Sequence, residues 1–277
     1  MKTWRYYNHA LLPTAEPHEK ADEEVLKNPE FWKANKKALL ARWTSDFDCG
    51  YETNWWYVIK DTPFDINGLK AKRRYEINKG KKNFTVSRII ASEYGEELFE
   101  VQLAAFSGWP EKYRPSVEKS TFINGLKAWD RCIVYGGFER DTGKLAAYAY
   151  LKEYDGHLEF SVLRARPEFE RNGVNAAMVA AVVEDYSEKL SDGYYICDGA
   201  RSIQHETAFQ DYLEKYFGFR KAYCKLHIIY NPRVNRIIKL LFPFRKFLKG
   251  LDGIGLIHKV NSVLYMEELF RNDKTHK

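Results

Sequence analysis

A polar turn leads into a long apolar helix near the middle of the chain, and this junction carries the clearest chemical signal. Pro167 ends a predicted strand, mostly polar residues follow at 168–172, and Gly173 stands where the helix begins. The first turn of a helix leaves backbone N–H groups unpaired beside the positive end of the helix dipole. Phosphate and pyrophosphate groups bind at such positions. The segment 171–175 is therefore predicted to hold an anionic group.

Two side chains near this junction have the chemistry to move a proton. Glu159 lies on the predicted strand Leu158–Val162, on the face opposite the alternating apolar side chains. His205 follows the end of another predicted strand, where ligands of α/β proteins commonly bind, and an imidazole titrates near neutral pH. Each also has a structural explanation, which is an exposed strand carboxylate for Glu159 and a helix cap for His205.

The elements that must position these residues follow from hydrophobic periodicity. Alternation or a short apolar run predicts strands at 84–90, 132–138, 145–151, 158–162, 194–197 and 221–230. Helical spacing predicts helices at 93–106, 116–129 and 206–217, and a further helix from Val174 to near Asp192. From residue 84 the order is therefore strand, two helices, three strands, helix, strand, helix and strand.

The first 30 residues are predicted to be irregular, because they are polar and contain three prolines. A short helix is predicted at Asn28–Leu40, with strands near Trp43 and at Trp55–Ile59. The two early histidines, His9 and His18, lack a third ligand at useful spacing, so no metal is expected.

This order of elements, with the passage strand–Pro–ERNGVNAAM–helix–strand, resembles the GNAT N-acyltransferase superfamily. The family's pyrophosphate loop reads Gln or Arg, two residues, Gly, one residue, then Gly or Ala. Gly173 matches this pattern, whereas Glu170 and Asn175 depart from it. HETAFQDYLEKYFGF at 205–219 is similar to the family's last core helix, with one extra residue before Gly-Phe and His205 in place of the usual Asn.

The resemblance spans about residues 84–231 and implies an α/β (α+β) fold with a mixed, mostly antiparallel twisted sheet flanked by helices. An N-terminal extension with strands and a basic helix, residues 1–83, would precede this core. A basic amphipathic helical tail, residues 232–277, would follow it. The implied activity is transfer of an acyl group from acetyl-CoA, or another acyl-CoA, to an amine of a small molecule or a cell-envelope precursor.

The resemblance also implies roles for individual residues. Glu159 would be the base that accepts the amine proton, with His205 as the second choice, and Tyr212 would return a proton to the departing thiolate. The pantetheine arm would run beside Leu163, Arg164 and Ala165. The pyrophosphate would be held by Arg171, Asn172, Gly173, Val174 and Asn175.

A basic passage in the first half of the chain suggests a different donor. Segment 55–61 followed by 69–84 resembles the Fem-type aminoacyltransferases, a GNAT-fold group in which a strand and a basic helix precede the core. That likeness implies a charged tRNA as donor, although Fem proteins carry two GNAT-like units and residues 1–83 are too short for one. The basic helix could contact phosphates or be a solvated face. A non-catalytic module that binds nucleotide, RNA or membrane is the third alternative.

Composition sets weaker limits on function. The 44 basic and 38 acidic residues leave a net charge of +6, which permits an anionic partner without requiring one. The four cysteines are far apart and form no C-x-x-C pair, which is typical of free thiols in a reducing compartment. Because the sequence also contains no signal peptide and no run of about 20 apolar residues, a cytoplasmic protein is expected.

Apolar and basic residues alternate along 233–249. Such a segment either packs on the protein or on another subunit, or it lies on an anionic membrane surface. Packing is the favoured interpretation because Pro243 interrupts the helical pattern.

Overall fold

A computed structural model describes residues 3–108, 111, 114–202, 208–251 and 255–275. The chain forms two compact units, and each combines separate stretches of sequence. The first unit contains Met1–Tyr57, Ala200–Thr207 and Lys221–Lys277, and the second contains Val58–Gly199 and Ala208–Arg220. The division into 1–83, 84–231 and 232–277 stays a prediction.

The first unit is built on a small mixed sheet. Its strands, numbered along the whole chain, are β1 (Trp4–Tyr7), β2 (Ala10–Pro13), β3 (Leu40–Ser45), the first half of β4 (Trp55–Lys60), and β10 (Arg220–Tyr230). β1 and β2 form an antiparallel hairpin, β2 runs parallel to β3, and β3 is antiparallel to β10. Its helices are α1 (Pro29–Ala34), α9 (Pro232–Leu241), α10 (Arg245–Lys249) and α11 (Gly255–Thr275).

The second unit contains the predicted core. Its further strands are β5 (Phe84–Arg88), β6 (Ile133–Glu139), β7 (Leu145–Glu153), β8 (His157–Ala165) and β9 (Tyr195–Ala200). They lie in the order β9-β8-β7-β6-β5, antiparallel except for the pair of β8 and β9. Its helices are α2 (Ala71–Asn83), α3 (Gly95–Ser107), α4 (Lys119–Gly125), α5 (Pro167–Glu170), α6 (Val174–Asp185), α7 (Ser187–Leu190) and α8 (Ala208–Phe217).

Helices cover both faces of this sheet. Tyr148 of β7 packs into a cluster with Leu98 and Val101 of α3. The neighbouring residue, Ala147, points to the other face, where Met178 of α6 lies against the strands. Because α6 is apolar on all sides, it is buried along most of its length. The predicted mixed, mostly antiparallel sheet flanked by helices is confirmed.

The order of strands and main helices predicted from residue 84 onward is confirmed. The helix predicted at 116–129 is instead the short α4 followed by a 3₁₀ turn at Leu126–Arg131, and the helix predicted from Val174 to near Asp192 is divided at Tyr186 into α6 and α7. Upstream, two predictions are wrong. The first 30 residues are not irregular, because they contain β1 and β2. The helix predicted at 28–40 ends at Ala34, and Leu40 instead opens β3, where it pairs with Tyr230 of β10. A partner about 190 residues away in sequence thus overrides the local helical spacing.

The basic segment and the tail are helical as predicted. The basic segment forms α2, and residues 232–275 form α9, α10 and α11 over their described part. Among the described helices, none has both the length and the hydropathy that crossing a bilayer requires.

Candidate functional site

Two parallel strands part in the middle of the second unit. β8 and β9 pair over only three residues, from His157 with Tyr195 to Glu159 with Cys197. Beyond Glu159, β8 continues to Ala165 paired with β7 alone. Because both strands extend past their last shared pair, a groove opens between their carboxyl ends. Ligands of α/β sheets commonly bind in such a crevice.

Asp198 is the first residue of β9 beyond this last pair. Among the described residues at this point, its carboxyl is the one titratable group whose pKa is shifted by burial to near neutrality. Burial raises the pKa of Asp198 from 3.8 to about 7, and a hydrogen bond with Gln210 of α8 opposes part of that rise. Gln210 is itself buried, with 8% of its surface exposed. A carboxyl with a pKa near the working pH is well suited to accept a proton.

Asp198 is not among the site residues predicted from the sequence. The signal that could have found it is an acidic side chain directly after a buried apolar strand, at the strand's carboxyl end. The raised pKa itself requires the packing of α8 and was not readable from the sequence.

Glu159, the predicted base, stands at the point where the strands part. Its carboxylate accepts hydrogen bonds from Ser161 (2.9 Å) and Tyr154 (3.3 Å), and Lys152 Nζ lies 3.8 Å away. Paired residues of neighbouring strands share one face, so Glu159 lies on the face of Cys197, and Asp198 lies on the opposite face. The structure therefore offers two carboxyls, one on each side of the sheet.

Aromatic side chains connect β8 with α8 beside these strands. Phe160 of β8 lies 5.9 Å from Phe209 of α8, measured between ring centroids, and Phe209 stacks on Tyr212 at 6.2 Å. Burial raises the pKa of the Tyr212 phenol, so this hydroxyl keeps its proton at neutral pH. The predicted acid Tyr212 thus lies on α8 against Phe209, with a hydroxyl that can donate a hydrogen bond.

The predicted anion site lies at the start of α6. Gly173 has φ +86°, a left-handed conformation that glycine adopts without strain, and α6 begins at the next residue. Within the described part of the chain, the N–H groups of Asn175 and Ala176 have no hydrogen-bond acceptor. The Glu170 side chain is exposed.

Helix α2 packs directly against this loop. A Cβ added to Gly80 would lie 2.3 Å from the carbonyl oxygen of Gly173, so the close approach requires glycine. Lys79 donates a hydrogen bond to the carbonyl of Arg171 (2.6 Å), and Asn83 donates one to the carbonyl of Asn172 (3.0 Å). Side chains of α2 thus satisfy the loop carbonyls and place an ammonium group beside the helix start.

The three arginines near the loop are placed differently. Arg164, on β8 between Leu163 and Ala165, is half-buried with its guanidinium over the Phe106 ring, and burial lowers its pKa. Arg166 is buried and donates to Glu100 (2.7 Å) and to the Leu145 carbonyl (3.0 Å). Arg171 is exposed in the loop. Arg171, within the loop, and Lys79, bonded to the Arg171 carbonyl, therefore bring positive charge to this loop. His205 lies outside the described residues.

The first unit has a cavity of its own, of about 460 Å³. Ser45 and His227 line it, with the Ser45 hydroxyl 2.7 Å from His227 Nε2. The imidazole stacks on Trp43 at 5.2 Å between centroids. This cavity contains none of the residues that the sequence analysis selected.

The mostly antiparallel sheet flanked by helices is similar in its broad arrangement to solved structures, among them FemX. No protein-family model and no curated protein matches the sequence. Solved structures do match. FemX has a TM-score of 0.53 at 12% identity, over 79% of each chain.

Two further structures are similar at the same 12% identity. A conserved protein of unknown function from Bacteroides thetaiotaomicron has a TM-score of 0.53, over 79% of this chain and 78% of that one. The C-terminal DUF2156 domain of a candidate lysylphosphatidylglycerol synthetase from Agrobacterium fabrum has a TM-score of 0.51, over 86% and 82%. At these identities the likeness concerns the fold alone.

Proposed function

We propose that the protein is an acyltransferase that moves an acyl or aminoacyl group onto an amine, with Asp198 as the general base. The observation that carries this proposal is the half-buried Asp198 carboxyl, with a pKa of about 7, where β8 and β9 part. An amine must lose its proton to attack a carbonyl, and a base with a pKa near the working pH serves best. Such a base contributes roughly 10²–10⁴-fold to a rate.

We favour an aminoacyl-tRNA as the donor. The likeness to FemX extends over most of both chains, and the Fem-type resemblance of the sequence implies a charged tRNA. The basic helix α2 lies beside the loop that precedes α6, and Lys79 donates a hydrogen bond to the Arg171 carbonyl of that loop. Phosphates of a tRNA acceptor end would meet Lys79 and Arg171 there. An amine of an envelope precursor is the acceptor class that this likeness suggests.

An acyl-CoA is the second candidate donor, and one feature favours it. The left-handed Gly173 opens α6 beside the parted strands, with the N–H groups of Asn175 and Ala176 free of acceptors in the described chain. That arrangement suits a pyrophosphate. In this version the pantetheine arm would follow Leu163–Ala165 along the groove.

Thermal melting with uncharged tRNA, aminoacyl-tRNA and acetyl-CoA separates these donors. A ligand at 100 times its dissociation constant stabilises the folded state by about 2.7 kcal/mol. We expect a shift with tRNA that exceeds any shift with acetyl-CoA. A shift with acetyl-CoA alone would instead support the CoA version, and no shift with either would support a non-catalytic module.

Asn175→Asp tests the loop without endangering the fold. A carboxylate in the first turn of α6 stabilises the helix by about 0.3–1 kcal/mol, whereas it repels a phosphate. We expect unchanged or higher stability with weaker ligand binding. Asn124→Asp, the same change on the exposed side of α4, is the matched control and should bind as the wild type does.

Transfer assays decide between the two carboxyls. Asp198→Asn should lower turnover by 10²-fold or more, while Glu159→Gln should retain most of it. The opposite result would assign the role of base to Glu159. Wild-type activity in both variants would show that neither carboxyl acts as the base.

A further inference from the structure

Four large apolar side chains form an exposed stripe near the end of the chain. Ile237, Leu240, Phe244 and Phe247 follow one another at spacings of three, four and three residues, and their exposed fractions are 54%, 69%, 58% and 71%. We refer to these four residues as the apolar stripe. Scattered exposed apolar residues are common in proteins, but a contiguous set of this size marks a surface that binds something.

The opposite side of the same segment is anchored to the first unit. Ile238 is buried, and Arg245 donates a hydrogen bond to Glu268 of α11 at 2.9 Å. Asn261 donates to the Leu248 carbonyl at 2.9 Å, and the Arg271 guanidinium lies 3.8 Å from the centroid of the Phe242 ring. Since these contacts use the inner side of α9 and α10, the apolar stripe faces away from the body that holds it.

Pro243 does not break this pattern. It lies in the short 3₁₀ turn Phe242–Phe244 that joins α9 to α10. Leu240 lies before this turn, and Phe244 and Phe247 follow Pro243, yet all three are exposed. The interruption was the reason to favour packing over membrane contact, and the exposed stripe on both sides of the turn removes that reason.

Positive charge surrounds the stripe. Residues 231–251 contain no Asp or Glu. The exposed cations of this segment, none of which forms an ion pair with another described residue, are Arg233, Arg236, Lys239, Lys246 and Lys249. An apolar face flanked by Lys and Arg is the pattern of helices that lie in the interface plane of an anionic bilayer.

We propose that this face docks on an anionic membrane surface, with the apolar stripe at the boundary of headgroups and acyl chains. The flanking cations would contact lipid phosphates, which adds electrostatic attraction to the apolar contact. A second copy of the chain fits less well, because the same basic segment on both copies would bring like charges together.

Vesicle flotation with the full-length protein tests this proposal. We compare vesicles of phosphatidylcholine alone with vesicles in which part of the lipid is phosphatidylserine. We expect binding to the phosphatidylserine vesicles at low salt, at least tenfold less binding without phosphatidylserine, and a marked loss at high salt because the charge contribution is screened.

Two variants and one control assign the binding to this face. Phe244→Ser combined with Phe247→Ser, and separately Lys246→Glu combined with Lys249→Glu, should each weaken vesicle binding at least tenfold. Both changes lie on exposed positions, and an unchanged melting temperature verifies the fold. Leu103→Ser, at a 45% exposed apolar side chain of α3, is the matched control and should bind as the wild type does.

Three results would overturn the proposal. The first is wild-type protein that stays unbound in both vesicle preparations, and the second is variants that bind as well as the wild type. The third is a concentration-dependent dimer in solution that the double Phe variant abolishes, which would assign the stripe to a second copy.

Discussion

Ionisation of Asp198 is expected to destabilise the folded protein, and this can be measured without a substrate. The pKa is about 7 in the folded state and 3.8 in its ordinary environment. Between these pH values the folded protein binds more protons than the unfolded chain. The free energy of unfolding therefore falls as the pH rises from about 4 to about 7. A separation of about three pKa units, each worth about 1.4 kcal/mol, bounds the effect at about 4 kcal/mol.

Asp198→Asn removes this charge and keeps a side chain that can hydrogen-bond with Gln210. We expect the variant to match the wild type near pH 3.5 and to exceed it by about 2–4 kcal/mol at pH 8. Urea unfolding followed by circular dichroism at a series of pH values measures the difference. Asp155→Asn, at an exposed carboxyl between β7 and β8, is the control and should leave the pH dependence unchanged.

A difference between variant and wild type that is the same at every pH would refute the reasoning. The pKa of Asp198 in the folded protein would then not be raised, and this carboxyl would not be suited to act as a base near neutral pH. Reduced stability of the variant at pH 8 would have the same consequence, because it would mean that the ionised form is the stabilised one.

Two further changes test the packing that positions the site. Gly80→Ala places a methyl group 2.3 Å from the Gly173 carbonyl oxygen. Although alanine has the better helix propensity, we expect the free energy of unfolding in urea to fall by about 1–3 kcal/mol. Gly125→Ala, with open space around it, is the control and should be neutral or stabilising, and equal stability of the two variants would contradict the close contact. Arg166→Met removes the hydrogen bonds that Arg166 donates to Glu100 and to the Leu145 carbonyl. Because Arg166 is only 8% exposed, we expect a loss of about 1–3 kcal/mol in urea unfolding. The bond to the neutral, buried Leu145 carbonyl should keep most of this loss at high salt, and a loss that disappears there would show that the exposed Glu100 carboxylate supplied it.

The sequence predicted the parts of the site that depend on local pattern. The strand at 158–162 and the helix from Val174 follow from periodicity, and Gly173 follows from the turn between them. The contact of Gly80 with Gly173 joins residues more than 90 positions apart, so no local pattern could reveal it. The tuning of Asp198 likewise depends on Gln210, which a different helix supplies.

Strands β1 and β2, which were not predicted, also depend on residues outside their own segments. Both are short, and only one of their residues, Leu11, is fully buried. Their pairing partners, rather than their own alternation, hold them in the sheet.

The glycine contact between α2 and the loop before α6 has a mechanical consequence. Lys79 and Asn83 donate hydrogen bonds to two successive loop carbonyls, and at Gly80 the two backbones are in close contact. A bound molecule that shifts this loop must therefore move α2 as well. Binding at the groove would then change the rate of amide hydrogen exchange along α2, even if the bound molecule does not contact that helix.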